Sequence, residues 1–510
     1  MPTGNVTTTH QSGGLTESDV IPDRVHAKVG QAEEGIVNKA YYIRTLKQAK
    51  NVFGRGPLID SLTQYFEEFD ESLAQKPVPV ICVRPDNDGT PTASTANLDN
   101  SLVPVRDDIT APGTANGHVN GTPTGDRVVK LKIVKGGAAE TAVYRLSTDG
   151  GVSYGEPIET PASGSPISLD AGMTLDFTND TGTDAFVEGD IWTVNIYGPS
   201  PTRASIETAV SSLIQEYRCY WIHVLGGVTR AFAVSINSIL TDMQDNYNQP
   251  TFAILEGLSR AEAEVENGAA FADDAGYFQY IQDEYDPFQS ERIAIVIGEG
   301  RYISGGIANA GGYAVVDASE TIAEDWRNAA TLLTAKLASG GPNVSAGYVR
   351  EKRSLTFSEI RYWDQGYQDY MDTFHDMRLT VLKEYNDYDG IFIARDRIKS
   401  GVDSDFIEIP ERRRADKMHR IVYQSSLPFL NQDTEIRAGA GGIEYLKASI
   451  DAQIAEEMEK PGRAEISSHK IVLDPDGDFA LTGILKVSLA MYVAQRIKAI
   501  EWETTFARTS

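Results

Sequence analysis

In “IAIVIGEGRYISGG”, Gly298 and Gly300 follow an apolar run, where the first two glycines of a dinucleotide-binding turn would stand. The third glycine is missing and no phosphate-loop lysine follows, so the turn lacks what holds a pyrophosphate. Asp474, Asp476 and Asp478 in “DPDGD” alternate as the first ligands of a calcium loop do. The later bidentate glutamate is absent, and a hairpin turn accounts for the same residues. The seven histidines are scattered, with no H-E-x-x-H and no Cys/His pairing. Cys82 and Cys219 lie inside the apolar runs “VPVICVRP” and “YRCYWIHVL” and read as buried, reduced thiols. “PERRRADKMHR” is a basic run in an acidic chain. Arg412, Arg413 and Arg414 read either as a solvated, salt-bridged face or as a contact with an acidic surface of an identical neighbour. The expectation is no catalytic residue, no metal and no cofactor.

The elements around these residues read as a scaffold. The 510 residues are 41% hydrophobic and 23% charged, enough for several domains with real cores. Lys and Arg total 46 against 73 Asp and Glu, a formal charge of -27 that repels a phosphate backbone, so nucleic acid is not an expected partner. The N-terminus has no basic region followed by an apolar core, and no apolar run reaches membrane-spanning length. The chain is therefore expected to stay in the cytoplasm that made it, without a membrane partner.

The first two dozen residues are polar and Gly/Thr/Ser-rich, the composition of an arm. “GPLIDSLTQYFEEF” then puts Leu58, Leu62, Tyr65, Phe66 and Phe69 on one helical face, ahead of a strand at Val78 to Val83. Between about residues 105 and 200 short alternating runs such as “VVKLKIV” and “IWTVNIYG”, separated by turn clusters, predict a small β-sandwich or barrel. After it the alternation of helix and strand resumes, through strands at “YWIHVL”, Thr251 to Leu255 and Ile293 to Ile297. A helix carrying Ile322, Trp326, Ala330, Leu333 and Leu337 leads to a turn-rich boundary near residue 345. The last third mixes helices, among them “QDYMDTFHDMRLTVLKEYND” and an amphipathic one with Ile443, Leu446, Ile450, Ile454 and Met458 on one side, with two long strands around “PDGD”. Leu485, Val487, Leu489, Met491 and Val493 alternate as a half-buried strand does. The bulk then moves to even positions at Ile500, Trp502, Thr504 and Phe506, so a bend near Ala494 to Arg496 must separate two strands. The fold class is α/β and α+β, multidomain: a central α/β sheet domain interrupted by a β-sandwich-like module, an α+β C-terminal domain and extended terminal strands.

“SDFIEIPERRRADKMHRIVYQSSLPFLN”, the helix “GIEYLKASIDAQIAEEMEK” and the closing strands resemble the C-terminal domain of bacteriophage contractile tail sheath proteins. “VFGRGPLIDSLTQYFEEF”, placed before a strand and an inserted module, resembles them too. The resemblance implies an N-terminal arm (1–29), a discontinuous sheath domain (30–104 and 201–345), an outward-facing insertion (105–200), a tube-contacting domain (346–493) and a C-terminal arm (494–510). The arms, with Val20, Ile21, Val25, Ala27 and Val29 at one end and Ile500, Trp502, Thr504 and Phe506 at the other, would add strands to sheets of neighbouring subunits. Arg412, Arg413, Arg414, Glu444, Lys447 and Asp451 are the expected tube- or subunit-facing residues. The implied partners are further copies in a helical polymer, an inner tail tube protein, and baseplate and tail terminator proteins, in a virion tail assembled in the host cytoplasm. The implied work is contraction that drives the tube through an envelope. A headless contractile device or bacteriocin, a capsid or baseplate protein, and an enzyme on the α/β part are the alternatives.

Overall fold

The computed structural model describes residues 23–69, 77–89, 116–125, 127–148, 151, 153–196, 198–302, 326–349, 354–361, 367–386, 388–430, 441–462, 464–473 and 484–493. The described chain enters β1 (His26–Val29) almost at once, then passes through β2 (Ala40–Ile43), α1 (Leu46–Phe53), α2 (Pro57–Glu68) and β3 (Val80–Val83). Local chemistry sets these limits. Thr45 caps α1 by accepting from the Gln48 amide, Gly54 ends it at φ 68°, and Pro57 opens α2, where its missing N–H costs nothing.

The inserted module follows: β4 (Asn116–Gly121), β5 (Arg127–Lys135), β6 (Val143–Ser147), β7 (Ile158–Glu159), β8 (Ile167–Ser168), β9 (Met173–Thr178) and β10 (Ile191–Ile196). They form two antiparallel sheets, β10-β5-β6-β7 and β4-β9-β8. Strand alternation sends Val129, Leu131, Ile133, Trp192 and Val194 of one sheet against Val119, Leu175 and Phe177 of the other, in a core separate from the main one. Phe177 meets Trp192 edge to face with ring centres 5.1 Å apart. The two stalks of the module are stitched together. The Gly89 amide donates to the Ser200 carbonyl (2.9 Å), and a Cβ at Gly89 would lie 2.3 Å from that oxygen. Asp88 then accepts from the Thr202 amide at 3.1 Å.

Thr202 caps α3 (Arg203–Glu216), and the chain continues through β11 (Trp221–Val228), α4 (Arg230–Tyr247), β12 (Phe252–Gly257), α5 (Arg260–Asn267), α6 (Asp274–Tyr285) and β13 (Ile293–Val296). The main sheet runs β13-β12-β11-β1-β3-β2, parallel except for β2. Building outward from β1 in both directions makes this a doubly wound sheet whose order reverses between β1 and β11. α3 and α4 pack together on one face, α3 against β1, β2 and β3 and α4 against β12. The other face receives α2 and a later helix.

Next come β14 (Glu299–Tyr302), β15 (Trp326–Asn328), that helix, α7 (Ala330–Ser339), then β16 (Phe357–Ile360), α8 (Tyr367–Asp376), β17 (Leu382–Tyr385) and β18 (Tyr388–Ile393). The helix expected to include Trp326 begins only at Ala330. Trp326 pairs with Arg301 across β14, and Asn328 turns the chain by accepting from the Ala330 amide at 2.9 Å. Ile322 lies outside the described residues. Every residue of α7 is buried, so this helix is internal. The helix expected over 368–387 stops at Asp376, and Leu382 onward forms a hairpin with β18. The expected boundary near 345 also moves: Leu355, Phe357, Phe374, Leu382 and Ile393 belong to the main core. A third core closes the described chain. Met418 and Ile421 of α9 (Ile409–Ser426), Leu446, Ile450, Ile454 and Met458 of α10 (Gly441–Met458), and Ile471 of β19 (Ser468–Leu473) pack together, with β20 (Val487–Tyr492) paired to β19.

Because the module has its own core and stitched stalks, deleting residues 90–199 and joining Gly89 to Ser200 through a short Gly/Ser bridge should leave the rest folded. Thermal melts should lose the module's share of the unfolding signal and keep the main transition within a few degrees. A main transition that disappears would show that the module is needed by the sheet it interrupts.

Candidate functional site

A doubly wound sheet holds ligands beyond the carboxyl ends of its strands, at the order reversal. Here β11 ends in a bulge, its register against β12 slipping between Val224 and Gly227, with Gly226 at φ 92°. The Gly226 amide donates to Glu256 and the Gly227 amide to Glu262, each at 2.9 Å. The backbone donors that would bind an anion are thus occupied by the chain's own carboxylates. Nearby cations are matched in the same way, Arg361 with Glu299 (2.7 Å) and Arg327 with Asp60 (3.5 Å). Gly298 joins strand to strand, not strand to helix, while Gly300 lies within β14, where a Cβ would sit 2.2 Å from Phe357. Close packing explains that glycine. One serine-nucleophile pattern was missed above: “GVSYG” places Ser153 in a G-x-S-x-G spacing, but in the β6–β7 connection of an antiparallel module, with no following helix to form an elbow. Asp474, Asp476 and Asp478 lie outside the described residues.

Behind the bulge runs a row of polar side chains on the sheet face covered by α2 and α7. Lys28 of β1 donates to the Ser61 hydroxyl (2.8 Å) and meets His223 Nδ1 at 2.9 Å, while His223 Nε2 meets Glu256 at 3.0 Å. Ser61 shares a 2.8 Å bond with Thr331 of α7. Burial pushes the Lys28 ammonium down to about 7 and the Glu256 carboxyl up to about 7. Burial, assisted by Lys28, holds His26 and His223 well below the ordinary imidazole value. Lys28, His26 and His223 are all fully buried, so the row fastens the sheet to its helices and offers no surface.

The polar residues that touch Asp23, just ahead of β1, and Glu465, just ahead of β19, lie elsewhere, on α9. Arg412, Arg413 and Arg414 were expected on a surface, but they are 6%, 0% and 3% exposed. Arg412 is paired with Asp416 and lies over the Phe406 ring. Arg413 stacks on Trp221, which in turn stacks on His26, and donates to the carbonyls of Asp23, Gly340 and Gly341. Lys417, one turn on, reaches Asp23 (3.4 Å), Glu465 (2.8 Å) and the Glu457 carbonyl (3.3 Å). The basic run is an internal clamp.

Beyond the clamp, β19 and β20 form a two-stranded sheet. Among the described residues each strand is paired only with the other, from Ser468↔Tyr492 to Leu473↔Val487. Val487, Leu489, Met491 and Val493 turn toward the third core but are only partly buried, and Tyr492 is 53% exposed. His469 fastens the hairpin to α10 through Glu459 (2.7 Å) and Asp451 (2.9 Å). Burial alone would lower its pKa, but these two carboxylates hold it above the ordinary imidazole value. A two-stranded sheet of this kind is marginal alone, and free edges invite a further strand.

Residues 3–397 match the family model described as DUF2586, N-terminal domain. The chain belongs to the DUF2586 family. No curated protein matches its sequence. Among solved structures, this DUF2586 chain is similar to a chain in the anti-feeding prophage (AFP) baseplate, with 10% identity over 98% of this chain and 100% of that one and a TM-score of 0.50. It is also similar to a chain of the AFP helical sheath in the contracted state, with 9% identity over 98% and 99% and a TM-score of 0.47. A third is the sheath tail protein from Desulfitobacterium hafniense, with 10% identity over 92% and 93% and a TM-score of 0.45. The first of these likenesses shows a fold shared along the whole chain. The DUF2586 match stops at Arg397, before α9, so the clamp and the hairpin lie beyond it.

The residues expected in the arms separate in this DUF2586 fold. Val25 leads into β1, and Ala27 and Val29 lie within it, paired to β11 on one side and β3 on the other. All three are at most 1% exposed, so this strand belongs to the chain's own sheet and the expected arm up to residue 29 is too long. Val20 and Ile21, and Ile500, Trp502, Thr504 and Phe506, lie outside the described residues. On α10, Glu444 is exposed, Lys447 half-buried, and Asp451 engaged with His469.

Lys28 gives the main body a pH signature. An unfolded lysine keeps its proton up to about 10.5, whereas the buried one gives it up above about 7, so the unfolded state binds more protons between these values and stability rises with pH. Above 9.0 the buried thiols of Cys82 and Cys219, both held up by burial, oppose the trend. Melting temperature should therefore climb from about pH 7 toward pH 9, and Lys28→Met should flatten that climb. Equal slopes in both proteins would mean that the ammonium keeps its proton in the fold.

Proposed function

We propose that this chain is the structural subunit of a contractile tail sheath, which polymerises as a helical tube around an inner tail tube and shortens on triggering. The observation that carries the reading is the β19–β20 hairpin, a two-stranded sheet in which, among the described residues, each strand is paired only with the other, and whose apolar face is only partly covered. Such a sheet accepts strands from other copies by main-chain pairing, with alternate side chains setting the register. Support comes from the fold shared with the AFP baseplate chain and from the resemblance of the C-terminal sequence to phage sheaths. A contact between copies that does not close on itself builds a helix.

In this reading the residues before Asp23 and after Val493 are the donated strands, Ile500, Trp502 and Phe506 being the side chains that enter a neighbour's sheet. The work of shortening comes from free energy stored at assembly, in keeping with strand-end donors already taken by Glu256 and Glu262. The inner tube, baseplate and terminator proteins are the proposed partners, the inserted module faces outward, and assembly takes place in the host cytoplasm. A baseplate component is the second reading, favoured by the AFP baseplate likeness itself.

A chain truncated after Val493 should keep its monomer melting temperature and lose polymerisation. If the segment instead paired within its own chain, removing a buried Trp and Phe would cost roughly 1.5–3 kcal/mol each and the melt would shift down by several degrees. Trp502→Asp with Phe506→Asp should behave as the truncation does, because charged side chains cannot enter an apolar sheet face. Negative-stain images of the intact protein should show ribbed hollow cylinders. Rings would favour the baseplate reading, and monomers under all conditions would end both.

With -27 on every copy, polymerisation should also be easier at high than at low ionic strength. Sedimentation across a salt series measures this, and a flat response would argue against charged faces meeting in the polymer.

A further inference from the structure

Lys417 stands where two parts of the chain, far apart in sequence, begin. Asp23 is the first described residue, directly before β1, and Glu465 leads into β19. The Lys417 ammonium spends its three donors on the Asp23 carboxylate, the Glu465 carboxylate and the Glu457 carbonyl in the last turn of α10. The ammonium and its two carboxylates are largely withdrawn from solvent: the side chains of Lys417 and Glu465 are 10% exposed, and that of Asp23 22%. Burial would lower the ammonium's pKa, but Asp23 and Glu465 hold it above the ordinary lysine value, so it is charged throughout the neutral range. Arg413 grips the Asp23 carbonyl from the previous turn of the same helix, and the Glu465 amide donates to the Met458 carbonyl at 2.7 Å. The two roots thus meet on one cation, on the α9 face turned toward the main sheet.

We infer that Lys417 is a positioning residue that couples the root of the N-terminal segment to the root of the hairpin. The inference rests on the sheath reading for its use, though not for its test. In a polymer whose copies are joined through their terminal segments, a pull on the residues before Asp23 reaches the hairpin through one ammonium. It need not pass through β1 and the six-stranded sheet. The hairpin that receives neighbours' strands then moves with the segment its own chain donates, and the doubly wound body travels undeformed. The physical reason is the shared donor in a site of low dielectric. Withdrawing either carboxylate leaves one ammonium N–H without its acceptor, and a lysine that turns to satisfy it leaves the position from which it holds the other root.

Hydrogen exchange on the full-length monomer tests this. Asp23→Asn should speed exchange not only in residues 23–30 but also, by about tenfold, in hairpin amides 467–473, which Asp23 does not touch. Glu465→Gln should do the reverse, loosening the Tyr220 amide that is bonded to the Val25 carbonyl. In Lys417→Met both roots should exchange faster, and adding Asp23→Asn should have no further effect on the hairpin. A lysine that only stabilises its surroundings predicts a different result, in which each carboxylate variant loosens its own root alone. That outcome overturns the coupling. Should Lys417→Met unfold the third core, the two carboxylate variants still decide the question. Cross-effects in a chain that never forms cylinders would leave the coupling standing and remove the sheath, while cylinders without cross-effects would do the opposite.

Discussion

β1 has only four residues, yet it is paired on both sides, and its position at the order reversal makes both halves of the main sheet depend on it. Parallel pairing puts His26 beside Trp221 and Lys28 beside His223 on one face. Two rows follow from that register. One is a stack of His26, Trp221 and Phe252 continued by the Arg413 guanidinium. The other is the hydrogen-bonded line from Ser61 through Lys28 and His223 to Glu256. A parallel sheet buried on both faces is ordinarily lined with Val, Ile and Leu. Here the central strand carries an imidazole and an ammonium, each acceptable only because neighbours reach it, so strand, α2, α7 and α9 must form together.

The same dependence explains what could be read from the sequence and what could not. Strands with one wet face announced themselves: β5, β9 and β20 alternate, and the structure turns Leu131, Leu175 and Leu489 inward as the period requires. α10 was legible from its stripe at Leu446, Ile450, Ile454 and Met458. β1 was not, since “HAKV” is half polar and reads as exposed arm unless Ser61, His223 and Trp221 are known to be waiting for it. Arg413 was misread for the same reason: its acceptors at Asp23 and Gly340 lie 390 and 73 residues away in sequence. Trp326 misled differently, its spacing to Ala330 fitting one helix although a cap at Asn328 divides strand from helix.

The candidate site was legible in type more than in place. Alternation in the last strands pointed to two strands around “PDGD”, and the structure pairs β19 with β20, each bonded only to the other among the described residues. Of the acidic residues expected to meet a partner, Glu444 is exposed, and Asp451 holds His469 while its side chain stays 45% exposed. A charge pattern along a helix gives its amphipathic direction, but not whether an ion's counterpart comes from the same chain.

The stitch between Gly89 and Ser200 has a consequence for how such chains diversify. Two backbone segments joined by one amide-to-carbonyl bond, as neighbouring antiparallel strands are, stand about 5 Å apart. Any compact domain whose own termini are that close can be grafted there without altering a residue of the doubly wound body. The position is therefore an attachment point at which the module can be exchanged for another domain while β1, β3 and β11 keep their pairing.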